Sequence, residues 1–201
     1  MSKINSVKPL CETKFVGLYE VNYTNKNGQS KEWTVASRKS EEALNDIYLK
    51  NKEDNIDAVI ICAYHKRYEK LVLIKEFRVP INKYIYELPA GLVDSDDDNF
   101  ENTVRRELKE ETGLDLVYIN KEKSHSKVYL SPGMTDESVA FVNCIVDGQL
   151  SSDYLEDDED IEAILVSQKE ACDYLNSNEA IDVRAYLVLQ SFALLGSKMF
   201  E

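Results

Sequence analysis

Two short runs rich in Val, Ile and Leu, Ala58 to Tyr64 and Leu71 to Phe77, flank the polar segment His65-Lys66-Arg67-Tyr68-Glu69-Lys70. Apolar runs this brief, so closely spaced, suit the central strands of a sheet. The longest of them, Ala58 to Tyr64, falls far short of the roughly 20 residues that cross a bilayer, and Met1 to Lys14 lacks the apolar core of a signal peptide. A cytoplasmic protein without a membrane partner is the expectation.

Around these strands the pattern alternates between strand and helix. Phe15 to Tyr23 and Glu32 to Arg38 bracket the polar turn Asn25-Lys26-Asn27-Gly28-Gln29, which reads as a hairpin. Ser40 to Lys50 is short and either helical or irregular. After Pro89 comes an acidic loop, Asp94 to Asp98, then a helix from about Asn99 to Thr112 with Gly113 where a C-terminal cap belongs. Strands are expected at Ser126 to Leu130, Glu137 to Val146 and Ala163 to Val166, and helices at Gln168 to Asn176 and Asn178 to Leu195. The class is α+β, and 201 residues with 43% hydrophobic content suffice for one substantial core with a small appendage.

Charge narrows the function. The chain has 24 Lys and Arg against 37 Asp and Glu, a net charge of -13, and no basic run. That balance repels a polyanion and argues against nucleic acid as a partner. It allows a small diphosphate, provided a divalent cation neutralises carboxylate and phosphate together. The four cysteines, Cys11, Cys62, Cys144 and Cys172, form no CxxC pair and have no His at ligand spacing, so they are expected to be buried small hydrophobes rather than zinc ligands or disulfides.

The densest chemistry lies in Arg106-Glu107-Leu108-Lys109-Glu110-Glu111-Thr112-Gly113-Leu114. On a helix, Glu107, Glu110 and Glu111 stand at i, i+3 and i+4 and project from one face, where three like charges repel. Arg106 reaches Glu110 one turn on but cannot relieve all three. Oxygen-only anionic ligands suit Mg²⁺, with Mn²⁺ as the alternative, better than zinc. Glu-rich helices also simply face solvent, so the surroundings must decide.

From Gly91, which follows Glu87-Leu88-Pro89-Ala90, to Leu114 the chain resembles the Nudix box. Eight of its nine defined positions match: Gly91, Arg106, Glu107, Leu108, Glu110, Glu111, Gly113 and Leu114. The first Glu of the box is absent. Asp97 or Asp98 stands near its place, and the interval from Gly91 to Arg106 is one residue too long. The resemblance implies a Nudix fold, mixed β-sheets sandwiched by helices, with an N-terminal β-hairpin subdomain over residues 1–50 and the hydrolase domain over 51–201. It also implies metal held by Glu107, Glu110, Glu111 and the Ala90 carbonyl.

Four features outside the box resemble the ADP-ribose pyrophosphatase branch. Glu76-Phe77-Arg78 followed closely by Tyr86 to Gly91 implies that Arg78 and Glu87 bind substrate, Arg78 through a phosphate; the alternative reading of Arg78 is a surface residue at a strand end. Trp33 and Arg38, in Gly28 to Arg38, imply stacking on adenine and a second substrate contact. Trp33, the only Trp, also fits a core or a dimer interface. Ser131-Pro132-Gly133 stands where the branch has a Pro, although the interval from Leu114 is longer than in that branch. The acidic segment Glu156 to Glu162 resembles the loop that brings a carboxylate over the diphosphate, with Glu159 as the base and Glu156 and Glu162 as alternates; an acidic loop can also be merely solvated.

These likenesses imply a homodimer whose N-terminal subdomain serves dimerisation and base binding. The implied reaction is Mg²⁺-dependent cleavage of a nucleoside-diphosphate sugar, ADP-ribose giving AMP and ribose 5-phosphate, with Arg106 and Glu159 in catalytic roles. The alternatives are a UDP-sugar or dinucleotide pyrophosphatase, and a nucleotide-sensing module that binds without cleaving.

Overall fold

The computed structural model describes residues 1–93, 99–156 and 159–201. Asp97 and Asp98, between which the sequence leaves the missing box position open, lie outside these residues, as do the rest of the expected loop Asp94 to Asp98 and Asp157 and Asp158 of the acidic segment. The chain divides into two compact units, one of residues 1–57 with 127–139 and the other of 58–126 with 140–201.

In the first unit, strands β1 (Lys3–Glu12), β2 (Gly17–Thr24) and β3 (Ser30–Ser37) form an antiparallel sheet in that order. The hairpin turn joins β2 and β3 as its composition predicts, with the Asn25 side-chain oxygen accepting from the Asn27 and Gln29 amides. Helix α1 (Glu41–Lys50) resolves the choice left open over Ser40 to Lys50: Ser40 caps it by accepting from Ala43 N. Its Leu44 joins Val7, Tyr19 and Val21 in a small core flanked by Ile4, Val35 and Tyr48. Strand β1 is absent from the sequence reading because only Val7 of its residues is buried, so no alternation marks it. A half-buried charge cluster lies in the same unit, where Lys39 Nζ lies 2.8 Å from Asp57, 3.2 Å from Asp136 and 3.4 Å from Asp54.

The second unit carries the strands β4 (Ala58–His65), β5 (Lys70–Arg78), β6 (Lys83–Glu87), β7 (Ala90–Leu92), β8 (Asp115–Ile119), β10 (Ser138–Asp147, which begins in the first unit) and β11 (Ile161–Val166); β9 (His125–Tyr129) lies at the boundary between units. The sheet runs β11-β5-β4-β10-β8, with β6 on β5 and β7 on β4. The two apolar runs are indeed central: every residue of β4 is buried, as are Leu71 to Ile74 of β5. Helix α2 (Phe100–Thr112) matches the expected span and buries Val104 and Leu108 on its core side. Helices α3 (Gln168–Leu175) and α4 (Val183–Leu195) follow.

Two expectations need correction. The last helix starts at Val183 rather than Asn178, because Asp182 caps it by accepting from the Arg184 and Ala185 amides while residues 180–182 hydrogen-bond to Tyr86 in an extended path. Cys62 and Cys144 are buried as expected, but Cys11 on the largely exposed β1 and Cys172 on the outer side of α3 are exposed thiols.

Candidate active site

Helix α2 delivers the carboxylates. Asn99 caps its start by accepting from the Glu101 and Asn102 amides, and Gly113 ends it at φ 74 with its amide bonded to the Lys109 carbonyl. A side chain at Gly113 would be strained by that left-handed backbone and would also strike the Ser151 backbone, 2.7 Å from the would-be Cβ. The register between these caps turns Val104 and Leu108 into the core and sets Glu107 and Glu111 beside them, only 7% and 5% exposed. Glu110, the third member of the expected face, is less buried.

Burying carboxylates is costly unless their charge is met. Arg106 meets part of it: its Nη1 lies 2.7 Å from Glu107 and 3.0 Å from Glu110, and its Nη2 donates to the Leu92 carbonyl at 3.0 Å. The expected Arg106–Glu110 pair therefore forms, and the same guanidinium ties the helix to the end of β7. Glu111 instead accepts the Ala90 amide at 3.1 Å. The repulsion expected from the sequence shows in the protonation behaviour. Burial, opposed by Arg106 and reinforced by Glu110 and Glu159, pushes Glu107 up to about 7. Burial and the neighbouring Glu107 carry Glu111 well above the usual carboxylate range.

Strand β7 explains Gly91. It pairs with β4 so that Gly91 stands opposite Val59, and a Cβ there would lie 1.8 Å from the Glu107 carboxyl carbon. The missing side chain is the space into which Glu107 folds. Among the described residues, no three carboxylates converge as a ready metal cage; Glu107 and Glu110 turn towards Arg106 and Glu111 towards Ala90. The donors nonetheless fit a hard divalent cation: all are oxygens, two are buried with their charge only partly met, and the backbone of Ala90 is alongside.

Strands β5 and β6 add a second group. Arg78 Nη1 lies 2.7 Å from Glu76, while its Nε and Nη2 donate to Glu87 at 2.9 and 2.5 Å. Arg78 and Glu87, expected separately as substrate contacts, are thus partners. Glu76 received no role from the sequence, although its i, i+2 spacing from Arg78 on a strand puts both on one face; burial, opposed by Arg78 and reinforced by Glu87, raises its pKa. Glu159 is tied to Glu156: its amide donates to the Glu156 carbonyl at 3.1 Å, and its carboxylate accepts the Glu156 amide at 2.9 Å. Its charge is near enough to raise Glu76, Glu107 and Glu111. Of its alternates, Glu162 lines a cavity of about 530 Å³ with Glu111, Ser151, Ser152 and Asp153, and Glu156 bonds to Glu159 through its backbone amide and carbonyl.

In the first unit, Trp33 is half exposed and donates its indole N–H to the Gly133 carbonyl at 3.2 Å. Two of the four outlying sequence features, 100 residues apart, are therefore joined. Trp33, Tyr48, Tyr129, Pro132 and Met134 line a cavity of about 310 Å³. Arg38 pairs with Glu137 at 3.2 Å, and both border a smaller cavity of about 100 Å³.

Residues 54–187 match the model of the NUDIX domain. The chain is 32% identical over 166 residues to an ADP-ribose pyrophosphatase of Saccharomyces cerevisiae, covering 80% of this chain and 67% of that one. It is 31% identical over 190 residues to the putative nudix hydrolase 2 of Caenorhabditis elegans, covering 90% and 79%. A crystal structure of an ADP compounds hydrolase superposes with a TM-score of 0.71 over 98% of this chain and 95% of that one, at 19% identity.

Proposed function

Because the chain belongs to the Nudix family, we propose that it hydrolyses the diphosphate of a nucleoside-diphosphate sugar, ADP-ribose giving AMP and ribose 5-phosphate. It is a Nudix hydrolase with the α+β fold of that family. The observation that carries the chemistry is the burial of Glu107 and Glu111 at one end of α2, against a glycine whose missing side chain leaves room for a carboxylate. The choice of ADP-ribose is supported by the relative of that name and by Trp33 and Arg38, each beside a cavity.

A divalent cation, Mg²⁺ or Mn²⁺, held by Glu107, Glu110, Glu111 and the Ala90 carbonyl, would neutralise the diphosphate while water attacks phosphorus. The protein's own groups do the rest. Arg106 holds Glu107 and Glu110 in register by charge-assisted bonds. Arg78, its planar guanidinium aimed by Glu76 and Glu87, grips a phosphate oxygen. Glu159 accepts the proton of the attacking water. Trp33 stacks on the base and Arg38 binds beside it.

The same proposal includes a homodimer, since the first unit exposes Leu10, Phe15, Val16 and Leu18. It also includes a cytoplasmic location, where the four cysteines stay reduced. No described helix is long and apolar enough to cross a membrane.

The test is hydrolysis of ADP-ribose, UDP-glucose, NADH and a dinucleoside polyphosphate side by side, with Mg²⁺ and with a chelator, products resolved by chromatography. ADP-ribose should give the highest kcat/KM and yield AMP. Efficient cleavage of UDP-glucose without turnover of ADP-ribose would overturn the substrate.

A further inference from the structure

Strand β11 enters the sheet at Ile161, opposite Glu76 of β5. The residue before it, Asp160, is fixed at two points. Its carbonyl accepts the Phe77 amide at 3.3 Å, and its carboxylate accepts the Tyr84 hydroxyl. Phe77 and Tyr84 are themselves register partners across β5 and β6. Their rings meet edge to face with centroids 5.4 Å apart, and Lys75 Nζ lies 5.9 Å from the Tyr84 ring. The Tyr84 hydroxyl therefore projects from a braced ring.

Glu159 adjoins this anchor. On its other side, among the described residues, it is held by a pair of hydrogen bonds to Glu156. Hydrogen bonds between two neighbours in the chain tie Glu159 to Glu156 but not to the sheet. The place is set by Asp160, because a shift of Asp160 along β5 carries Glu159 with it. A displacement of the base by about 1 Å is enough to cost roughly a hundredfold in rate. The proton on Tyr84 that makes this hydrogen bond is secure at neutral pH, since its bond to the Asp160 carboxylate raises the hydroxyl's pKa.

We propose that Tyr84 is a positioning residue for the catalytic base: through Asp160 it fixes where Glu159 stands relative to Glu107 and Glu111. The proposal rests on Glu159 being the base. Tyr84 is half exposed, so Tyr84→Phe keeps the ring contact with Phe77 and removes only the hydroxyl. Asp160→Asn retains a side-chain oxygen able to accept from Tyr84, whereas Asp160→Ala does not.

The experiment is a double-mutant cycle of Tyr84→Phe with Glu159→Gln, measuring kcat and KM for ADP-ribose, Mn²⁺ binding and melting temperature. Tyr84→Phe should lower kcat roughly tenfold, the loss of one hydrogen bond to a charged acceptor, while KM and Mn²⁺ affinity stay within about twofold. Asp160→Ala should match it and Asp160→Asn should recover most of the rate. In the Glu159→Gln background, Tyr84→Phe should have no further effect. A severe Glu159→Gln loss beside an unchanged Tyr84→Phe rate would overturn the positioning role alone. A Tyr84→Phe loss that persists at full size in the Glu159→Gln background would overturn it too, by showing that Tyr84 acts elsewhere. Near-normal turnover of Glu159→Gln itself would instead remove the base assignment, and the proposal with it.

Discussion

Gly91→Ala should separate activity from stability. The new methyl carbon would start 1.8 Å from the Glu107 carboxyl carbon. Normal carbon contacts are about 3.5–4.0 Å, so the carboxylate must retreat by roughly 2 Å. A glutamate side chain can swing that far without moving backbone, so the fold survives. What it gives up is the 2.7 Å contact with Arg106, a charge-assisted bond worth about 1.5–3 kcal/mol at most, of which Arg106 recovers part through Glu110. A loss near 1–2 kcal/mol lowers the melting temperature of a chain this size by only a few degrees. The catalytic cost is larger, because misplacing a positioning group by more than about 1 Å costs on the order of a hundredfold. Thermal melts and steady-state turnover of ADP-ribose with Mg²⁺ check both halves. Wild-type kcat in Gly91→Ala would refute the account of why a glycine stands there, and so would a collapse of the melting temperature.

Glu111→Gln should lower turnover by roughly several hundredfold while leaving the cation-free protein as stable as wild type or more so, because it removes a charge buried at 5% exposure; a large drop in melting temperature would contradict this. Trp33→Ala should raise KM for ADP-ribose by about tenfold or more through lost stacking, and separation of subunits in size-exclusion chromatography would show an interface role instead. Glu170 closes a capping box with Ser167, whose hydroxyl and amide hold its carboxyl down at about 2. A depressed carboxyl stabilises fully above its unfolded pKa of about 4.5 and loses that contribution as pH falls from there towards 2. The stability gap between wild type and Glu170→Ala should therefore narrow between pH 5 and 3 in urea melts, and a gap constant over that range would disprove the linkage. Because Glu170 is half exposed, the pH-dependent part should stay below about 1 kcal/mol.

The second unit was more legible in the sequence than the first. The β4 and β5 runs announce themselves because both faces of each are buried, and α2 is framed by cap residues at Asn99 and Gly113 whose chemistry is local. Strand β1 carries no such signal, since its place depends on backbone pairing with β2 while only Val7 of its residues is buried. In the site, the three glutamates were visible as a spacing, but their unequal burial was not, because that depends on how α2 rolls against Gly91. Partnerships across strands were hidden for the same reason. Arg78 with Glu76 and Glu87, and Tyr84 with Asp160, are set by the registers of β5, β6 and β11 rather than by nearness in sequence.

The claim beneath all of this is that the buried carboxylates of α2 form the cation site of a pyrophosphatase. Titrating Mn²⁺ by electron paramagnetic resonance into wild type, Glu107→Gln and Glu111→Gln, with ADP-ribose turnover measured on the same samples, tests it most directly. The account predicts saturable Mn²⁺ binding in the wild type, weakened by about tenfold or more in each variant, with turnover falling in parallel. Unchanged Mn²⁺ binding in both variants, or turnover that survives the loss of binding, would contradict it.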